Sequence, residues 1–412
     1  MTSSTIAVER RRTLANNGLK SQGLVTIWHK APRRWGHPLH SLCSYLAMFP
    51  PTIPHVFVAW LTRPGDTVYD PFSGRGTTPL EACLMGRVGI GSDANPLACL
   101  LTSAKVDPPS PTAVAARLRE LRLKRRRLSP HNAPAEIRML FSSDTLGQLL
   151  WLRQELHPRR RTDCFLLAVL AGALHANADT TGRPRGLTVA MPNTFAMSPG
   201  YVAKYIARHR LVPPNVDVIS FLEERTRTIR WPDGPFRRGR GWMHAVETDL
   251  AWPADVKHAR LIFASPPYLQ VIKYGKYNWI RLWLLGLQGK AVDRQLFATS
   301  SLTRYLVFMQ SAICRLRGVL RDDGYMCFVI GDVRRGDRHM NLAKAVARHC
   351  VQGTDLKVVG TYTDRIPVKH KVSRIWKDNR GRATKTDRIL VLGGPKALEP
   401  GRVPDVSWPT RV

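Results

Sequence analysis

The run Asp70-Pro-Phe-Ser-Gly-Arg-Gly-Thr-Thr78 has the residue types of a ligand-cradling turn. A strand is expected over Asp66 to Asp70 before it and a short helix over Thr77 to Met85 after it. Gly74 and Gly76 let the backbone approach a ligand closely and take positive φ, as a cofactor-binding turn between strand and helix requires. Asp93 ends the next expected strand, Val88 to Asp93, where a carboxylate can receive both ribose hydroxyls of an adenosine group. That geometry serves NAD and other nucleosides as well, and a tight turn with Asp70 as an N-cap reads the same way.

A second run, Ala264-Ser265-Pro266-Pro267-Tyr268, sits at the C-terminal end of an apolar strand, where ligand crevices of open α/β sheets lie. Two adjacent prolines hold a rigid extended corner and donate no N–H, so their carbonyls are free to accept. Ser265 adds an acceptor, and Tyr268 an aromatic face for a planar base. Such a corner suits the exocyclic amine of a flipped base, a poor nucleophile because its lone pair is delocalised into the ring. Hydrogen bonds from its N–H groups to Ser265 Oγ and the Pro266 carbonyl favour a pyramidal nitrogen that can attack a sulfonium methyl in line. No cysteine lies near either motif, so no covalent enzyme intermediate is expected. Alone, the tetrapeptide reads equally as an ordinary turn.

Together the two motifs resemble the DNA amino-methyltransferases that use S-adenosyl-L-methionine to make N4-methylcytosine or N6-methyladenine. Asp70 to Thr78 matches their D-P-F-x-G-x-G-T-T motif, and Ser265 to Tyr268 the S-P-P-Y form of their catalytic tetrapeptide. His40 to Pro51 resembles the segment before the cofactor loop, and Gly89 to Lys105 the second strand with its helix. Thr248-Asp249 occupies the place of a segment whose aspartate contacts the adenine ring. The resemblance implies a Rossmann-like class I methyltransferase sheet of the α/β class. It places Ser265, Pro266, Pro267 and Tyr268 in catalysis. Around the cofactor it places Phe49, Asp70, Pro71, Phe72 and Gly74, then Gly76, Thr77, Thr78, Asp93 and Asp249.

In that family, Ser at the first tetrapeptide position is associated mostly with cytosine N4, and Asp or Asn with adenine N6. Cytosine N4 is therefore the expected target. The motif order, cofactor loop first with a large insertion between, is better known among adenine enzymes and keeps adenine N6 as the alternative. An RNA base methyltransferase and a non-catalytic DNA-binding relative remain as further alternatives.

Strand-helix alternation up to Lys105, with Pro96 to Lys105 as the second helix, argues for a parallel sheet with crossover helices. Val106 to Arg240 reads as mainly helical, over Leu118 to Leu128, Leu146 to Leu156, Phe165 to His175 and Pro199 to His209. Alternation resumes at Ala245 to Asp249, followed by strands at Ala259 to Ala264 and Tyr325 to Ile330. Helices are expected at Tyr277 to Leu285, Arg304 to Leu320 and Leu342 to Cys350, with closing strands at Leu356 to Thr361 and Ile389 to Leu392. The expected division is a basic arm over 1–25, a catalytic domain over 26–106 and 241–395, a large, mainly helical insertion over 107–240 for target recognition, and a tail over 396–412.

The chain holds 63 Lys and Arg against 30 Asp and Glu, a formal charge of +33, which calls for a polyanion, here double-stranded DNA. Candidate phosphate contacts are Lys124, Arg125, Arg126 and Arg127, with Arg183 and Arg185 in a Gly/Pro-bounded loop. Arg159 to Arg161, Arg237-Arg238 and Arg240 are further clusters, and 365–388 is a basic loop. Lys273, Lys276 and Trp279, just past the tetrapeptide, are placed to line the base pocket or its entrance, although Trp279 and Trp283 read equally as helix core. A cognate restriction endonuclease is a further expected partner.

With 44% hydrophobic residues over 412 positions, a sizeable core is expected. The most apolar run, Cys164 to Ala173, is about half of the roughly 20 residues that span a bilayer, so no membrane helix is expected. No apolar secretory stretch follows the N-terminal charges, and a cytoplasmic, nucleoid-associated protein is expected. Seven scattered cysteines without a C-x-x-C pair read as reduced, mostly buried thiols, and no metal-ligand spacing occurs.

Overall fold

The computed structural model describes residues 27–408 except 33–34, 47–48, 176, 180, 183, 192–195, 230–238, 248–249, 254, 270–271, 336–337, 366–382, 402–405 and 407. The expected arm over 1–25 therefore lies outside the described residues, as do Asp249, Arg183 and most of the basic loop 365–388. The sheet is built from β1 (Thr67–Asp70), β2 (Val88–Asp93), β3 (Arg240–Ala245), β4 (Ala259–Ala264) and β5 (Leu320–Arg335), then β6 (Arg338–Met340), β7 (Lys357–Arg365) and β8 (Ala383–Gly393). Its order is β3-β2-β1-β4-β5-β8-β7, with β6 paired on β5. The first five strands of that order run parallel, and β8 is antiparallel to both β5 and β7. This is the Rossmann-like methyltransferase sheet that the resemblance implied, and the strand order reverses between β1 and β4, where such sheets open a crevice.

The helices before the insertion are α1 (Thr52–Leu61), α2 (Thr77–Leu84) and α3 (Pro96–Val106). The central strands are nearly continuous in apolar residues because both faces are covered; all of β4 except Arg260 is buried. Asn95 starts α3 by accepting from the Leu97 amide, with Pro96 at the first helical position.

The insertion contains α4 (Pro111–Leu123), α5 (Ser143–Glu155), α6 (Arg161–Ala173), α7 (Pro199–His209) and α8 (Val218–Thr228). Ser110, Ser142 and Asp217 cap α4, α5 and α8. Its apolar residues share one core with residues outside it: Leu97 and Leu101 of α3 and Ile280 and Leu284 join Leu149, Phe165 and Leu170. The insertion is thus docked by its own core onto the helices that frame the crevice. Beyond it, α9 (Leu302–Arg317) and α10 (Leu342–Cys350) cover one face of the sheet, while α1 covers the other.

Several element boundaries differ from expectation: the strand expected at 325–330 runs over 320–335, and the strand expected at 389–392 over 383–393. The helix expected to carry Lys124 to Arg127 ends at Leu123, and the Leu128 amide then donates to the Gly147 carbonyl, which draws the chain away from the helix axis. The strand expected near Ala245 lies earlier, at 240–245, where Arg240 to Ala245 pair with Val88 to Asp93. As the half-exposed edge strand it lacks the apolar run that marks the central ones. Among the seven free cysteines Cys314 is exposed, an exception to the buried pattern. No described helix is long and apolar enough to cross a membrane.

Candidate active site

The chain leaves β1 at Asp70 and turns over the ends of β1 and β2 into α2. Its backbone is tied down at each step. Phe72 N donates to Asp70 Oδ1 (3.1 Å), Ser73 N to the Ser92 carbonyl (3.1 Å), and Gly74 N to Asp93 Oδ2 (2.8 Å). The other oxygen of Asp93 accepts from Asn95 N (2.8 Å). One carboxylate thus joins the glycine turn after β1 to the start of α3.

Gly74 (φ 52°) and Gly76 (φ 75°) both take the left-handed conformation. At Gly76 a Cβ would lie 2.7 Å from Thr102 Oγ1 and 2.9 Å from Thr102 Cα, so strain and overlap combine there. Gly76→Ala is expected to cost about 2–3 kcal/mol, read from urea unfolding. A cost below about 1 kcal/mol would show that the turn can relax.

The turn is braced from beneath. Lys105 of α3 is fully buried, and its Nζ donates to the Arg75 carbonyl; burial holds its ammonium well below the usual lysine range. Arg75 Nη1 donates to the His40 carbonyl (3.0 Å). On α2, the buried Glu81 bonds His40 Nε2 through Oε1 (2.6 Å) and His55 Nδ1 through Oε2 (2.8 Å). Burial pushes the Asp70 carboxyl up to about 8, with the Asp93 charge adding to it and the Phe72 amide opposing. No lysine or arginine among the described residues is ion-paired with Asp70, so burial holds its carboxyl largely protonated at neutral pH.

At the end of β4 the second motif faces the first across one cavity. The turn contributes Phe72, Ser73, Gly74, Arg75 and Thr77, with Asp93 and Asn95 beside them. The β4 corner contributes Ser265, Pro267 and Tyr268, followed by Tyr274. Tyr45, Phe49, Leu296 and Phe297 close the walls. Ser265 Oγ lies 3.4 Å from the Val329 carbonyl and 3.3 Å from Tyr268 Oη. Because the carbonyl can only accept, the serine hydroxyl can spend its hydrogen inward and present lone pairs outward. Burial pushes the Tyr268 phenol above its ordinary range and keeps it neutral.

Of the residues expected at the site, Phe49, Phe72, Gly74, Thr77, Asp93, Ser265, Pro267 and Tyr268 meet in this cavity. Asp70, Pro71, Gly76, Thr78 and Pro266 are buried behind its wall, where they shape the turn and the corner. Lys273 and Lys276 are exposed and flank Tyr274, which is the residue of that segment that lines the cavity. Trp279 Nε1 donates to the Met197 carbonyl (2.9 Å), a packing role rather than a pocket one. Of the basic run, Lys124, Arg125 and Arg127 are paired with Glu120, Asp217 and Asp144, so the expected phosphate cluster is largely neutralised by the insertion's own carboxylates. Arg126 and Arg185 are exposed.

Sequence reasoning missed Tyr45, Ser73, Arg75, Asn95, Tyr274, Leu296 and Phe297. Asn95 before Pro96 carries a capping signature, but its amide group also donates to Tyr45 Oη (2.7 Å), which no local pattern announces. The ring of Tyr45 stacks on Tyr274 at 5.7 Å between centroids, joining segments far apart in sequence.

The donor set fits S-adenosyl-L-methionine: Asp93 for ribose hydroxyls, and a glycine backbone with aromatic walls for a nucleoside. Asp93→Ala is expected to weaken its binding by about 100-fold, since a charged acceptor and the tether on Gly74 go together. Titration calorimetry reads this directly; affinity within about threefold of the parent would remove Asp93 from the site.

Residues 9–103, which include the cofactor turn, match the model of the N6/N4 methyltransferase family described as DNA methylase. Over that segment the chain is similar to the N4/N6 DNA methylase family. A curated relative, the Type II methyltransferase M.MjaII of Methanocaldococcus jannaschii, is 34% identical over 68 residues. That match spans 16% of this chain and only 13% of the relative. Among solved structures, TrmN of Thermus thermophilus aligns at a TM-score of 0.33 and 11% identity, over 86% of this chain and 52% of that one. The rRNA methyltransferase aviRa of Streptomyces viridochromogenes aligns at 0.32 and 12%, over 88% and 92%. Likenesses at that level decide nothing about substrate.

Proposed function

We propose that this protein is a site-specific DNA methyltransferase that transfers a methyl group from S-adenosyl-L-methionine to the exocyclic amine of a flipped base, cytosine N4. The observation that carries this reading is the single cavity in which Gly74 and Asp93 face Ser265 and Tyr268. When bound, S-adenosyl-L-methionine supplies an electrophilic sulfonium methyl. Asp93 and the Gly74 backbone hold its nucleoside, and Asp70, buried under the turn, fixes the turn by accepting from the Phe72 amide.

Ser265 Oγ accepts an N–H of the target amine and so concentrates the nitrogen lone pair for in-line attack. The methylated nitrogen then loses its surplus proton to water. Tyr268 and the Tyr45–Tyr274 pair provide aromatic surface for an extruded base, whose unstacking the enzyme must offset. In the cell the reading places the protein on cytoplasmic DNA, with a restriction endonuclease of the same site as its companion.

The test is incubation of purified protein with methyl-labelled S-adenosyl-L-methionine and duplex DNA or RNA, followed by mass spectrometry of the nucleosides. N4-methylcytosine in DNA is expected. N6-methyladenine instead would overturn the base, label in RNA alone the polymer, and no label in either the reaction.

A further inference from the structure

The expected cluster at Lys124 to Arg127 is engaged by carboxylates, so the uncompensated charge of the insertion must lie elsewhere. It lies on α7. No Asp or Glu occurs between Asp179 and Asp217. Within that stretch Lys204, Arg208 and Arg210 are exposed, and none of them has an ion-pair partner among the described residues.

The helix is two-faced. Val202 is buried in the insertion core and Ile206, four residues on, packs against it. Tyr201, Lys204 and Arg208 follow at spacings of three and four and so share the opposite, exposed face. Tyr201 is 49% exposed, and Val212, just past the helix, is 80% exposed. Arg210 ends the helix in the left-handed conformation and also faces solvent.

The start of α7 is fixed to the catalytic side of the cavity. Ala196 N donates to the Tyr277 carbonyl, and Trp279 Nε1 to the Met197 carbonyl, both at 2.9 Å. Tyr277 ends the short helix Tyr274–Tyr277, whose first residue lines the cavity. The cationic helix, about 16 Å long, is therefore anchored at its start near the cavity wall.

We propose that α7 is the groove-reading element of this protein: its Tyr201, Lys204 and Arg208 face, continued by Arg210, enters the major groove of duplex DNA beside the extruded base. This rests on the DNA reading given above. A major groove about 12 Å wide admits one helix, and an exposed face that joins cations to an aromatic ring supplies both phosphate and base-edge contacts.

The test compares two triple variants that remove equal charge. One carries Lys204→Gln, Arg208→Gln and Arg210→Asn; the other carries Lys124→Gln, Arg125→Gln and Arg127→Gln. Binding to a fluorescent mixed-sequence DNA duplex is followed by anisotropy across a KCl series, with S-adenosyl-L-methionine affinity measured on each protein. The α7 variant is expected to bind DNA at least about 30-fold more weakly at low salt and to lose about 2–3 from the slope of log affinity against log salt. The control variant is expected to change affinity less than about threefold. Both should keep the parent's affinity for S-adenosyl-L-methionine. An unchanged slope in the α7 variant, or an equal loss in the control, overturns the assignment. Tighter binding of the parent protein to an RNA duplex than to DNA overturns the occupant. Failure of the methyltransferase reading looks different: the parent protein would bind DNA with an α7-dependent slope yet transfer no label.

Discussion

Ser265→Ala is expected to lower the rate of methyl transfer by about 100- to 1000-fold while leaving S-adenosyl-L-methionine affinity unchanged. The side chain lies on the corner after β4, and its oxygen is oriented by the Val329 carbonyl and Tyr268 Oη on the buried side. Alanine keeps the fold of the corner, because the rigid backbone comes from Pro266 and Pro267. It removes the one side-chain acceptor of the tetrapeptide that stands ready for an amine N–H. The target nitrogen then keeps its lone pair in the ring, and the loss falls on kcat rather than on KM for DNA. Single-turnover assays with saturating cofactor separate the two. Equal losses of cofactor affinity and rate would reassign Ser265 to holding the corner.

Glu81→Ala is expected to destabilise the protein by about 3–5 kcal/mol. Glu81 is 1% exposed and bonds two imidazoles at once. His40 Nδ1 already lacks a partner, so loss of the carboxylate would leave His40 buried with neither nitrogen satisfied. The cost should appear in urea unfolding, and Glu81→Gln should recover part of it by accepting from one ring. A loss below about 1 kcal/mol for alanine would mean that water replaces the carboxylate.

The same cluster sets an acid limit. Burial alone would raise the Glu81 carboxyl, but the imidazole bonds from His40 and His55 hold it at about 2. A depressed carboxylate stabilises the fold above its ordinary range near 4.5, and that contribution disappears as pH falls from there towards 2. His37 acts earlier, held at about 4 by burial and then by the neighbouring His40. Burial likewise lowers His40. The unfolded chain takes up these protons below about 6.5 while the folded one resists, so stability should decline as pH drops from 6.5 towards 4. Melting curves across that window check the sign, and His37→Asn should flatten them.

What could be read from the chain was what the backbone itself must obey. Gly74 and Gly76 mark positive φ, and Pro266-Pro267 mark a rigid corner, so both motifs and the strands leading into them were legible. The central strands announced themselves because burial on both faces demands apolar runs. The edge strand β3 did not, since half of it meets solvent. Charge was legible only as a sum. That Arg125 meets Asp217, or that Arg122 meets Glu223, depends on how α4 and α8 pack, and no local pattern encodes it. The cavity walls were hidden for the same reason: Tyr45 precedes β1, while Phe297 comes from beyond the Pro266-Pro267 corner.

The pairing of β2 with β3 has a consequence for how the chain reaches this fold. Residues 88–93 meet 240–245 only after the whole insertion has been looped out, so their contact carries a large closure entropy. Local helices of the insertion repay their own ordering sooner than that pairing can. The insertion is therefore expected to collapse first and bring its two ends together, and the edge of the sheet to zip last. Until then β2 offers an unpaired edge to other chains, so refolding yield should fall as protein concentration rises.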